Sequence, residues 1–289
     1  MPTKIEKDAI SGRETTGHEW DGIKELNTPL PKWWVYVFYA TIAWSIGYWV
    51  VYPSWPTLST HLQGAAGYWS RAELQKEVTQ QAQERAPYVK RIGAASLEDI
   101  QKDPDLYNFA LAGGRAAFGE NCAACHGPGG GGTKGFPNLA DDDWLWGGDR
   151  ASILRTVSFG VRNANPDSRQ SQMPRFGADG MLKPDQINDV AEYVLSLSGT
   201  SSDAAAATRG APIFAENCAV CHGEKGAGNK DVGAPNLTDR IWLYGGDKAT
   251  VVQSITFARG GSMPAWSERL DPATIKMLAL YVHSLGGGQ

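Results

Sequence analysis

The strongest hydrophobic signal in the chain is the run 33–52, twenty residues without a charge and with Thr41 and Ser45 as its only hydroxyl-bearing aliphatic residues. A helix of that length spans about 30 Å, the thickness of the hydrocarbon core of a bilayer. Trp33, Trp34 and Tyr36 stand at one end, and Tyr48, Trp49, Tyr52 and Trp55 at the other, as interfacial aromatic belts do. Pro31 and Pro53 punctuate the run, which predicts a transmembrane helix. It is too long for a signal-peptide core and starts after a 32-residue stretch, so cleavage is not expected. The segment 53–104 is charged and partly helical in pattern, with an exposed helix beginning near Arg71 and a helix start at Ser96-Leu97-Glu98-Asp99. It reads equally as a spacer or as a contact surface. Further on, apolar residues recur at helical spacing in Ile187, Val190, Ala191 and Val194, and again in Ile275, Leu278, Ala279 and Val282. Pro184-Asp185 and Asp271-Pro272 mark the starts of these helices. Helices are also predicted over 106–120, 151–159, 208–217 and 249–258. No strand-like alternation competes with them, so the expected class is all-α.

The second half of the chain is written twice. Residues 118–127 (FGENCAACHG) match 214–223 (FAENCAVCHG), and Pro137-Asn138-Leu139 matches Pro235-Asn236-Leu237. The run 144–149 (WLWGGD) matches 242–247 (WLYGGD), Met173-Pro174 matches Met263-Pro264, and 193–197 matches 281–285. Five blocks in one order mean two copies of one small domain, too few for a solenoid. Each copy holds one Cys-x-x-Cys-His, at 122–126 and 218–222, and together these use all four cysteines. The motif reads as a c-type haem attachment site. Residues three apart share one side of a helical turn, so Cys122 with Cys125, and Cys218 with Cys221, can bind the two vinyl groups of one porphyrin. His126 and His222 follow at once as axial ligands. A zinc site built from both cysteine pairs is the alternative, and the doubled histidine speaks against it. The glycine-rich loops 127–135 and 223–233 lack the Gly-Lys-Ser/Thr ending of a phosphate cradle and read as backbone passing close to a haem.

Of five methionines, only Met173 and Met263 recur at matching places. Thioether sulfur is a known partner of histidine on haem iron and raises the reduction potential. The plain alternative is ordinary Met-Pro loop packing. Within each copy, the default pairing is His126 with Met173 and His222 with Met263. His/Met ligation leaves neither iron an open position, which favours electron transfer over gas sensing or peroxidase chemistry. His283 is read as a packed or surface residue, and His18 and His61, which flank the apolar run outside both repeats, are not expected to ligate; Trp146, Tyr244 and Trp266 are read as packing a haem, with a place on an electron path as the alternative. Domains of roughly 90 residues bury little apolar surface, and a bound haem serves as a staple. The expected architecture is thus one transmembrane helix followed by two tandem class I cytochrome c domains. The divisions are an N-terminal segment 1–32, the helix 33–52, a spacer 53–104, a first domain 105–200 and a second domain 201–289.

Lys24 and Lys32 precede the apolar run, and the first cation after it is Arg71, which puts the N-terminus in the cytoplasm by the positive-inside rule. Covalent haem attachment outside the bacterial cytoplasmic membrane agrees, placing the haem domains in the periplasm of a single-pass inner-membrane protein. The net charge of −4 argues against nucleic acid as a partner. Asp141-Asp142-Asp143 reads as a solvated loop, with a docking patch as the alternative.

The run 17–27 (GHEWDGIKELN) with 29–34 (PLPKWW) is similar to the N-terminal signature of the dihaem subunit of cbb3-type cytochrome c oxidases, the CcoP or FixP family. The resemblance extends over essentially the whole chain. It implies a subunit that is not itself catalytic and carries electrons within a proton-pumping oxidase. Electrons would come from a soluble or membrane-bound cytochrome c and pass through two covalent haems toward a monohaem cytochrome c subunit. From there they would reach a haem-copper subunit that reduces oxygen to water. Membrane lipid would surround the anchor. It also implies an exchange of methionines, Met263 ligating the haem of His126 and Met173 the haem of His222. A free-standing membrane-anchored dihaem carrier is the alternative.

Overall fold

The computed structural model describes residues 4–287, which form two compact units divided between Ala82 and Gln83. The first unit opens with an antiparallel hairpin, β1 (Thr15–Trp20) and β2 (Ile23–Leu26). Asp21 and Gly22 form its two-residue turn with φ of 49° and 86°, and Asp-Gly is the pair that tolerates two positive φ angles in succession. This hairpin corrects the all-α expectation: the described residues are mostly helical but carry a small sheet. The α1 helix (Lys32–Val51) follows and buries none of its side chains against protein. It is long and apolar enough to cross a membrane, and its exposed aromatic surface suits lipid. After it the chain folds back, with the amides of Ala65 and Ala66 donating to the carbonyls of Val50 and Val51.

Helix α2 (Ser70–Ala94) begins in the first unit and ends in the second. The second unit then adds α3 (Leu97–Lys102), α4 (Pro104–Asn121), the single turn α5 (Ala123–His126), α6 (Arg150–Phe159) and α7 (Pro184–Leu197). Its second half repeats the series as α8 (Ala204–Asn217), the turn α9 (Ala219–His222), α10 (Lys248–Phe257) and α11 (Pro272–His283). Asp103, Asp149, Asp203, Asp247 and Asp271 accept from first-turn amides of α4, α6, α8, α10 and α11, and such caps set helix starts.

The helices pair crosswise between the repeats. Helix α11, from the second repeat, packs on α4 and α6 of the first, while α7, from the first, packs on α8 and α10 of the second. Both long crossings are glycine-mediated. A Cβ at Gly114 would lie 2.2 Å from the Met277 carbonyl oxygen, and one at Gly210 would lie 2.1 Å from that of Asp189. Phe118 packs on Tyr281 and Phe214 on Tyr193, with ring centroids 5.4 and 5.0 Å apart. The core is accordingly divided into one cluster around Phe118, Ile153, Ile275 and Leu278 and another around Val190, Val194, Phe214 and Val251. A third cluster joins Ile92, Leu97 and Ile100 to Leu106, Met277 and Leu280. The end of the segment read as a spacer is therefore part of the folded core. Lys276 on α11 fastens it by donating to the carbonyls of Ile92, Gly93 and Ala95.

Candidate haem sites

Each Cys-x-x-Cys-His is one helical turn built the same way. Cys122 and Cys218 both end a long helix with φ −115° and ψ −34°. The amides of Cys125 and His126 donate to the Cys122 carbonyl at 3.1 and 3.0 Å, and those of Cys221 and His222 to the Cys218 carbonyl at the same distances. Gly127 and Gly223 then leave the helix with φ 78° and 77°. Neither pair is joined as a disulfide. Burial, and next the neighbouring cysteine, push the Cys122 and Cys218 thiols up to about 11.

The two histidines are oriented alike. His126 Nδ1 lies 2.9 Å from the carbonyl oxygen of Pro137, and His222 Nδ1 lies 3.0 Å from that of Pro235. A carbonyl only accepts, so Nδ1 carries the proton and Nε2 keeps its lone pair for a metal. Burial lowers the pKa of His222, the larger effect against the raising bond to Pro235, and so favours the neutral ring. The Pro-Asn-Leu blocks, noticeable in the sequence only as a repeat, thus hold the histidines. The glycines of the preceding loops make room for them: a Cβ at Gly132 or Gly228 would lie 2.6 or 2.7 Å from the amide of Asn138 or Asn236.

Beside the second turn lies a cavity of about 470 Å³, lined by Cys218, Cys221, His222, Met173, Val190 and Phe214 among others. Its size and apolar walls fit a large planar cofactor, and its donor set of two thiols, an oriented imidazole and a thioether fits a c-type haem. Met173 packs against the cluster that contains Cys218, and Met263 against the cluster that Cys122 joins. The structure thus places Met173 in one cavity with Cys218 and Cys221, and Met263 on the core cluster that Cys122 also packs against. The Met263 backbone pairs with Val161, amide to carbonyl at 2.9 Å and the reverse at 3.0 Å, and Asn163 Nδ2 donates to the Met263 carbonyl at 2.7 Å. Met181 is exposed, while Met277 fills the seam between α4 and α11. His18 stacks on Trp20 in the hairpin, His61 sits in the return after α1, and His283 ends α11. Among the described residues, no three His, Cys, Asp or Glu side chains are grouped to hold an ion.

Sequence reasoning passed over the arginines. Arg169 and Arg259 each stand four residues before a methionine, a signal visible in both repeats. Arg169 lies over the Trp146 ring and bonds Thr156 and the Ser152 carbonyl; Arg259 lies over the Tyr244 ring and bonds Ser254 and the Thr250 carbonyl. Trp146 and Tyr244 cross between repeats, reaching Gly233 and Gly135 respectively. Asp141 and Asp143 line the cavity rather than forming an open loop, and burial is the first cause raising both carboxyls, Asp143 to about 6.

Two Cys-x-x-Cys-His turns, two methionines packed crosswise and one helix long and apolar enough to cross a membrane stand together in this chain. Three family models match in that order. The N-terminal domain of cytochrome oxidase-cbb3, FixP, matches residues 12–59, cytochrome c matches 111–198, and cytochrome c oxidase, cbb3-type, subunit III matches 205–282. The chain is 57% identical over its whole length to the full length of the cbb3-type cytochrome c oxidase subunit FixP of Bradyrhizobium sp. (strain ORS 278). It is 57% identical to the subunit CcoP of Azospirillum brasilense, over 98% of this chain and 99% of that one. It is 51% identical to the subunit CcoP of Cereibacter sphaeroides (strain ATCC 17023), over the whole of both. The chain belongs to the FixP/CcoP family. Its cofactors are two c-type haems and its activity is electron transfer.

Proposed function

We propose that this FixP/CcoP chain is the dihaem subunit of a cbb3-type haem-copper oxidase, accepting electrons from a cytochrome c and delivering them toward a monohaem cytochrome c subunit and the oxygen-reducing subunit. Each haem, when bound, carries one electron on an iron that alternates between ferric and ferrous. The protein's own residues do the rest. Cys122 with Cys125, and Cys218 with Cys221, hold the porphyrins; the Pro137 and Pro235 carbonyls aim His126 and His222. Met263 then completes the site of His126, and Met173 that of His222. The observation that carries this assignment is the crosswise packing, with Met173 in the cavity of His222 and Met263 paired to Val161 of the first repeat. Thioether ligation in apolar surroundings favours the ferrous state and raises the potential.

The proposed setting is the bacterial inner membrane, with α1 as single-pass anchor, residues 1–32 cytoplasmic and the haem domains, 105–200 and 201–289, periplasmic. Lys24 ahead of α1 and Lys32 at its first residue support that orientation. Two experiments test the proposal. Potentiometric titration of M173A should leave both haems attached and lower the potential of the haem on Cys218 and Cys221, while M263A should lower that of the other. Two unchanged potentials would remove the methionines as ligands, and the reverse assignment would remove the exchange. Purification in mild detergent should recover b-type haem and copper with this chain; recovery of the chain alone would leave a free carrier instead.

A further inference from the structure

The repeats differ most between the helix after Gly-Gly-Asp and the methionine. From Phe159 to Met173 the first repeat is eight residues longer than the second is from Phe257 to Met263. The extra residues are 161–168, and they lie against the methionine loop of the other repeat. Val161 pairs with Met263, Asn163 donates to the Met263 carbonyl, Ser262 donates to the Arg162 carbonyl, and Asn165 donates to Glu268.

The Arg162 side chain reaches both methionine loops. Its Nε donates to the Gly261 carbonyl at 2.7 Å, and its Nη1 donates to the Ser171 carbonyl at 3.0 Å. Gly261 and Ser171 occupy the same place, each two residues before its methionine. The Arg162 backbone has φ 48°, a left-handed conformation that a long side chain adopts only when its surroundings hold it there. A guanidinium presents donors in a rigid planar fork, so one side chain can set the spacing of two carbonyls. An ammonium can hold carbonyls that converge on one point, as Lys276 does, but without a rigid fork it does not fix the distance between two that stand apart.

We propose that Arg162 is a positioning residue that fastens both methionine loops at once, so that the sulfur contacts at the two haems are mechanically joined. The proposal rests on methionine ligation as stated above. The Asn163 side chain, by contrast, bonds the Met263 carbonyl, while Asn163 meets Gln170 of the other loop only through its backbone carbonyl, which N163A keeps.

The test uses the full-length chain in detergent with both haems attached. M173A and M263A define the signature of each haem, read as the red-edge absorption of a ferric iron–sulfur bond and as carbon monoxide binding to the ferrous form. R162Q should weaken the absorption at both haems and raise the carbon monoxide-reactive fraction about tenfold, in keeping with the loss of a charge-assisted bond at each loop. N163A should change only the haem that M263A changes. R162K should resemble R162Q, because charge without the planar fork does not fix the spacing of the two loops. It also carries the test if R162Q fails to take up haem. Unchanged signatures in R162Q, an effect at one haem only, or normal behaviour of R162K would each overturn the fastening role. If instead M173A and M263A leave both absorptions intact, it is the ligand assignment that falls.

Discussion

Asp143 shows what a single residue at the cavity wall costs. Its carboxyl rises from an ordinary 3.8 to about 6, first through burial, then through Asp239 and Asp141, with Lys230 opposing. A carboxyl whose folded pKa lies above its unfolded value destabilises the fold when ionised. That cost is present above about pH 6 and disappears as the pH falls below the unfolded pKa. D143N should therefore stabilise the protein near pH 7.5 by about 1 kcal/mol, allowing for partial solvent screening, or roughly 2–4 °C in Tm. Near pH 4 the gain should shrink to little or nothing; a gain equal at both values would show that charge is not the cause. From sequence, Asp141-Asp142-Asp143 reads as a solvated loop or a docking patch, because burial of a carboxylate depends on what folds over it. The cysteines and histidines were legible because their spacing is set by the cofactor itself. Met173 and Met263 were singled out by recurring in both repeats. Arg162 was not, because it lies in the stretch that one repeat has and the other lacks.

At the scale of elements, the helices were legible and their partners were not. Aspartate caps and apolar periodicity are local, so α4, α6, α7, α8, α10 and α11 begin and end within a few residues of their expected bounds. But α7 and α11 carry nearly the same stripe, and so do α4 and α8. A stripe that fits two similar partners does not say which one it meets. The glycines at the crossings settle how closely they meet. G210A would put a methyl group 2.1 Å from the Asp189 carbonyl and G114A one 2.2 Å from that of Met277. Each should cost about 1–3 kcal/mol by forcing a packed seam apart, seen as a lower denaturation midpoint. Gly119, on the exposed side of α4 with nothing within 4 Å of a built Cβ, is the control: G119A should stabilise by about 0.5–1 kcal/mol. Equal effects at Gly119 and Gly210 would mean that helix propensity, not close approach, governs both. The β1–β2 hairpin departs from the all-α expectation because its strands show little alternation, and its one local signal is the Asp21-Gly22 turn.

At the scale of the whole haem-bearing unit, crosswise pairing makes the two repeats mutually dependent. Neither repeat contains both helices of either glycine-mediated crossing, and each methionine packs on the core cluster that the other repeat's cysteine turn joins. The covalent link between them, 198–203, is also pinned. Buried Glu192 on α7 accepts from the Ser201 and Ser202 hydroxyls and the Ser202 and Asp203 amides, and pairs with Lys248 on α10. Continuity of the chain thus contributes little that packing does not already supply. A protease site inserted after Gly199, at the exposed start of this link, gives a direct measurement. After cleavage the two haem-bearing fragments should migrate together in size-exclusion chromatography, keep both iron–sulfur absorptions, and separate only under denaturant. Two repeats that each folded on their own helices would instead part on cutting, since nothing but the linker would join them. Co-migration with altered absorption would locate the dependence in the methionine loops rather than in the helical cores, because the loops, unlike the α4–α11 and α7–α8 seams, have few buried apolar contacts to hold them once the chain is cut.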